Sequence, residues 1–139
     1  MCGAHPDGLE RMRAFIRSRL LSFRYAFAGW WYVIRTQRNA WIHAMVSVMV
    51  LLVSLWLQLS LQDWAVIILA IAMVWTAEFL NTALEAVVDL ASPQQHPLAQ
   101  VGKDVGAAAV LIASIASALI GFFILGPPLW QRLQTAFGF

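Results

Sequence analysis

Three stretches of this sequence are apolar for long enough to cross a bilayer, and no other feature constrains the fold as strongly. A membrane-spanning helix needs about 20 consecutive apolar residues. The first stretch runs from about 40 to 61, with no charged side chain between Arg38 and Asp63. The second runs from about 64 to 90, and the third from about 104 to 125. The reading is an all-α membrane protein with three transmembrane helices.

Composition closes off the soluble alternative. Only 12% of the 139 residues are charged and 61% are hydrophobic, whereas a soluble domain has about 25% charged residues. Cys2 is the single cysteine, which excludes an internal disulfide and zinc sites built on cysteine clusters. The net charge of +2 hides an asymmetry. Of the nine basic residues, seven (Arg11, Arg13, Arg17, Arg19, Arg24, Arg35 and Arg38) precede the first apolar stretch. Directly before a span, such a cluster points to positive-inside anchoring and anionic lipid, and no nucleic-acid partner is expected.

The segments before and between the spans follow from periodicity and turn chemistry. Residues 1–8 contain Pro6 and Gly8 and read as a disordered tail. Over 9–38, Leu9, Met12, Ile16, Leu20, Phe23 and Phe27 recur at spacings of three and four, which places them on one helical stripe. With arginines on its shoulder, this is an amphipathic helix suited to the membrane interface; packing on the protein's own bundle is the alternative. Trp30, Trp31, Tyr32 and Trp41 mark the headgroup level. Residues 39–126 form the three-span membrane domain. Leu59 to Asp63 makes a tight hairpin connection, and Ala91 to Lys103, with Pro93 and Pro97, a polar loop. The third span is expected to stop at Gly126-Pro127-Pro128, leaving 127–139 as an outer tail. Ala109, Ala113, Ser117 and Gly121 form a small-residue ridge of the kind that lets helices approach in lipid. The expected orientation is N-terminus cytoplasmic and C-terminus outside.

The second span carries the chemistry. Glu78, Asn81, Glu85 and Asp89 are separated by three, four and four residues, so they share one helix face. The line rises about 16 Å from inner-leaflet depth to the cytoplasmic surface. An ionisable residue within a span costs roughly 2.5–3.5 kcal/mol on insertion scales and marks a functional site by default. Asp89 alone could be a solvated helix end, and Glu85 alone could pair with an arginine of the interfacial helix. Glu78 has no such explanation, because Ile71 to Ala77 before it are largely apolar.

Carboxylates at the surface end suit Mg²⁺, a hard cation that keeps substrate phosphates in its shell. A deeper carboxylate can accept a proton from a hydroxyl. Lys103 and Asp104 add a cation for phosphate and a further acid. Together they fit phosphoryl transfer from a soluble nucleotide to a hydroxyl held at the membrane. A proton or ion pathway would also place acids in a span. Gly102-Lys103 is no Walker A loop, because Pro97 stands where the first glycine should and Asp104 replaces the Ser/Thr.

The run Ala77-Glu78-Phe79-Leu80-Asn81-Thr82-Ala83-Leu84-Glu85-Ala86-Val87-Val88-Asp89 resembles the signature of the prokaryotic diacylglycerol kinases, which include the undecaprenol kinases of Gram-positive bacteria. His96-Pro97-Leu98 and Lys103-Asp104-Val105-Gly106-Ala107-Ala108-Ala109-Val110 match as well. Upstream, Ser22 to Ala26, Gly29, Arg38-Asn39 and Ile42-His43 look like the undecaprenol-kinase branch. The resemblance covers roughly Phe23 to Leu125. It implies a homotrimer in the bacterial cytoplasmic membrane, with active sites shared between subunits, MgATP as donor and a membrane lipid as acceptor. It implies Glu78 as catalytic base and Asn81 as a positioning group. Glu85 would bind Mg²⁺. Lys103, Asp104, His96 and Tyr25 would contact or border nucleotide, and Asp89 would support them. One position departs from the pattern: Gln37 stands where the family usually has a second metal-binding glutamate. Glutamine keeps a carbonyl ligand without the charge. A catalytically weak or inactive trimer of the same fold is therefore the alternative to an active lipid kinase.

Overall fold

The structure, a computed structural model, describes residues 8–92, 94 and 96–138. The tail expected over 1–8 lies outside these residues except for Gly8, and so does Pro93. Four helices follow one another: α1 (Gly8–Thr36), α2 (Arg38–Leu57), α3 (Leu61–Ala91) and α4 (Pro97–Phe137). The chain divides into two units, Met1–Thr36 and Gln37–Phe139. Helices α2, α3 and α4 are each long and apolar enough to cross a membrane. In the first unit, the stripe from Leu9 to Phe27 is exposed along α1. Arginines lie over aromatic faces there, Arg19 at 4.9 Å from the Phe15 ring centre and Arg35 at 4.7 Å from that of Trp31.

In the second unit α3 packs chiefly on α4, and α2 touches both. The hairpin between α2 and α3 is tighter than its sequence suggests. Gln58 takes a left-handed conformation (φ 56°) and its amide bonds the carbonyls of Leu55 and Ser54, which closes the end of α2. Ser60 then caps α3, accepting from the Asp63 amide at 3.2 Å and donating to its carboxylate at 2.7 Å. The first of these bonds satisfies one of the amides that a helix start leaves unbonded.

The buried stripe of α3 is Ile67, Ala70, Val74, Glu78, Asn81 and Thr82. It begins apolar and turns polar without leaving the core-facing side. Opposite it on α4 stand Gly106, Val110 and Ala113. Ser117 continues this line, its Oγ donating to the Ala70 carbonyl at 2.9 Å. The contact ridge thus passes through Gly106, Val110, Ala113 and Ser117. Ala109, expected to belong to it, is exposed. Outward faces carry Met45, Leu52, Leu69, Leu80, Ile112 and Phe122, all exposed, as helices surrounded by hydrocarbon require.

The third long helix extends beyond the apolar stretch at both ends. It starts at Pro97 rather than near Asp104, because proline fits the first helical position, where its missing amide hydrogen costs nothing. It also runs through Pro127 and Pro128 to Phe137. Proline's backbone angle is compatible with a helix. What is lost are the amide bonds to the Phe123 and Ile124 carbonyls, a loss that membrane helices tolerate. Beyond the prolines, the Arg132 guanidinium lies 5.8 Å from the Trp56 ring centre, tying the end of α4 to the end of α2.

Candidate active site

Where the α3 stripe turns polar, it meets the start of α2 and the first half of α4. Glu78 is 1% exposed and Asn81 8%. Glu85, one turn further, is half-buried and accepts two amide hydrogens. Asn81 Nδ2 donates to one carboxylate oxygen at 3.0 Å, and Gln37 Nε2 to the other at 3.1 Å. Gln37 can reach it because it is the non-helical residue opening α2, with φ −101° and ψ 118°. The carbonyl end of Asn81 lies against Gly106, where a Cβ would collide with Oδ1. The close approach of α3 and α4 thus depends on a glycine that sequence reading left without a role.

A fourth polar side chain joins from α2. His43 Nε2 lies 3.8 Å from Glu78 Oε2. These two atoms and Asn81 Oδ1 are buried without a hydrogen-bond partner among the described residues. A buried polar atom is normally bonded, so three together need an explanation. They line a cavity of about 260 Å³ with Gln37, Asn39, Glu85, Ala107 and Ser114. An apolar groove of about 570 Å³ continues from Ile42, His43 and Ser114 along Val46, Val50, Ile71, Val74 and Phe122. His43 stands in the sequence only as part of the family-like pair Ile42-His43, without a role. A histidine inside an apolar span is an ionisable group in the membrane, and the rule that singled out Glu78 applies to it equally.

The surface end of the line is built differently. Asp89 is exposed and pairs with Lys103 Nζ at 2.5 Å. Asp104 accepts from Gln100 at 2.8 Å. His96 caps α4, its Nδ1 accepting from the Leu98 amide at 3.2 Å. Asp89, His96, Gln100 and Lys103 line a separate open cavity of about 530 Å³ with Ser92 and Gln94. Helix α3 therefore links two clusters, Glu78–Asn81–Glu85–Gln37 at depth and Asp89–Lys103 at the surface. Tyr25 stands exposed on α1, in the first unit.

Among the described residues, no three His, Cys, Asp or Glu side chains stand close enough together to hold a metal alone. Mg²⁺ needs less, since it takes one or two carboxylates and leaves other positions to phosphates and water. Glu85, the unpaired Asn81 Oδ1 and the Gln37 carbonyl are hard oxygen donors at one place, so the residues fit the ion.

Comparison with known proteins gives one consistent result. The family model described as "Prokaryotic diacylglycerol kinase" matches residues 24–125. A diacylglycerol kinase of Synechocystis sp. is 47% identical over 111 residues, 79% of this chain and 63% of that protein; the chain thus spans less than two thirds of that relative. An undecaprenol kinase of Bacillus subtilis is 40% identical over 108 residues, 78% of this chain and 88% of the relative. A diacylglycerol kinase of Escherichia coli is 32% identical over 95 residues, 63% of this chain and 78% of the relative.

Proposed function

The chain belongs to the prokaryotic diacylglycerol kinase family, and from that premise we propose that it transfers the γ-phosphoryl group of MgATP to the hydroxyl of a membrane lipid. The observation that carries this reading is the cavity where buried Glu78 and half-buried Glu85 converge beside an apolar groove. Glu78 is the base: its free Oε2 faces the cavity and can take the proton of an acceptor hydroxyl. Asn81 and Gln37 hold the Glu85 carboxylate in place from both sides. When bound, Mg²⁺ neutralises charge developing on the phosphates. Glu85 would hold it, with Gln37 and Asn81 beside it as the neighbouring oxygen-bearing side chains.

At the surface end, Lys103 offers an ammonium to nucleotide phosphates once Asp89 releases it; His96 and Gln100 border the same space, and Asp104 accepts from Gln100 outside its lining. The apolar groove suits an acyl or prenyl chain. The protein works as a homotrimer in a bacterial cytoplasmic membrane, N-terminus inside, and neighbouring subunits complete each site. The test is a substrate panel: detergent-solubilised protein with labelled ATP and Mg²⁺, offered diacylglycerol or undecaprenol. Label in one lipid supports the reading and identifies the acceptor. A folded protein that labels neither removes it.

One observation favours a second reading, a weakly active or non-catalytic trimer of the same fold. Gln37 brings an amide hydrogen, rather than a second carboxylate, to Glu85. A wild-type protein without transfer that gains it on Gln37→Glu would decide for this reading.

A further inference from the structure

The two buried atoms at the head of the cavity have complementary chemistry. His43 Nε2 and Glu78 Oε2 are 3.8 Å apart and neither has a hydrogen-bond partner among the described residues. That is too far for a direct hydrogen bond, which spans about 2.7–3.2 Å between nitrogen and oxygen. An oxygen about 2.9 Å from each would bridge them at an angle of about 80°, which opens to the tetrahedral angle once the two part by about 1 Å. Both line the same cavity, so the space exists. The histidine ring is also held in place. It meets Trp75 edge-on, with ring centres 6.4 Å apart and planes at 67°, and the Trp75 indole donates to Ser47 Oγ at 3.2 Å.

We propose that His43 binds the acceptor hydroxyl, holding its oxygen between Nε2 and Glu78 Oε2. The proposal rests on the lipid-kinase reading and adds a residue to it. A neutral imidazole carries one hydrogen. Placed on Nε2, it donates to one lone pair of the acceptor oxygen. The hydroxyl hydrogen then points at Glu78 Oε2, and the second lone pair is free to attack phosphorus. As the new oxygen–phosphorus bond forms, the bond from the γ-phosphorus to its bridging oxygen breaks and ADP leaves. Glu78 takes the hydroxyl proton, so atoms and charge balance. His43 gives up nothing; it fixes which lone pair attacks. The ligand it recognises is a lipid alcohol with a single free hydroxyl at the mouth of the apolar groove.

The experiment compares wild type, His43→Leu and His43→Gln in detergent, measuring kcat and KM for the lipid that the wild type phosphorylates and KM for ATP. Loss of orientation at a reacting group costs on the order of a hundredfold. His43→Leu is expected to lower kcat/KM for lipid by about 30–100-fold, leaving the KM for ATP within about twofold of wild type. His43→Gln, whose amide nitrogen reaches nearly as far as Nε2, is expected to recover most of that loss. Leucine kinetics equal to wild type overturn the proposal. So does a glutamine variant as slow as the leucine one, or a loss that falls equally on ATP. If His43→Leu does not fold, His43→Asn draws the donor away from Glu78 and is read by the same criteria. Failure of the lipid-kinase reading shows separately, as a wild type that phosphorylates no lipid, and the proposal then falls with it.

Discussion

Glu78 and Asp89 lie on one face of one helix, eleven residues apart, and the structure treats them as different kinds of group. Asp89 is exposed and paired with Lys103. Glu78 is 1% exposed and keeps one carboxylate oxygen without a hydrogen-bond partner among the described residues. An ion pair in water gains little, about 0–1 kcal/mol. An unpaired polar atom at depth costs about 1–3 kcal/mol, more if charged. A protein therefore has little reason to choose between alternatives at Asp89, and every reason to remove Glu78 unless it works. Depth, rather than residue type, separates the two, and each end opens on its own cavity.

Substitutions along the line test that division, and Glu78→Gln carries the largest expected effect. It keeps the shape and removes the proton acceptor, so lipid phosphorylation falls by about 10²–10⁴-fold, while the thermal midpoint holds or rises because a buried carboxylate is gone. Lys103→Met comes next. Loss of a charged hydrogen bond, about 1.5–3 kcal/mol, raises the KM for ATP by roughly tenfold or more and leaves the KM for lipid unchanged.

Gly106→Ala acts on the framework between the two ends. The new methyl group displaces Asn81 from Glu85, and overpacking of this kind costs about 1–3 kcal/mol. Both the thermal midpoint and kcat should drop. Gln37→Glu restores a second carboxylate beside Glu85, so the Mg²⁺ concentration for half-maximal rate should fall several-fold, at the order of magnitude one extra ligand charge supplies. Asp89→Asn is the smallest: stability changes by about 0–1 kcal/mol, and turnover stays within a few-fold.

The sequence made the spans and the acid line legible because both depend on local rules, apolar length and helical spacing. What it hid depends on contacts between helices. Gly106 looks like one small residue among many, and only the approach of Asn81 shows why no Cβ fits there. His43 sits in an apolar run with nothing nearby in sequence to explain it; its meaning comes from Glu78, thirty-five residues later. Gln37 is read from the family pattern as a metal ligand that lost its charge. In the structure it is also the donor that holds Glu85. The end of α4 escaped for another reason. Gly126-Pro127-Pro128 is a strong stop signal in water, but two missing amide bonds are not enough to end a helix in lipid.

The division of labour along α3 is tested most directly by one ratio: the lipid-phosphorylation rate of Asp89→Asn over that of Glu78→Gln, in the same detergent and at saturating MgATP. A ratio of about a hundred or more is expected, with both proteins folded. Two variants of equal rate would contradict it, since the buried carboxylate would then do no more than the exposed one.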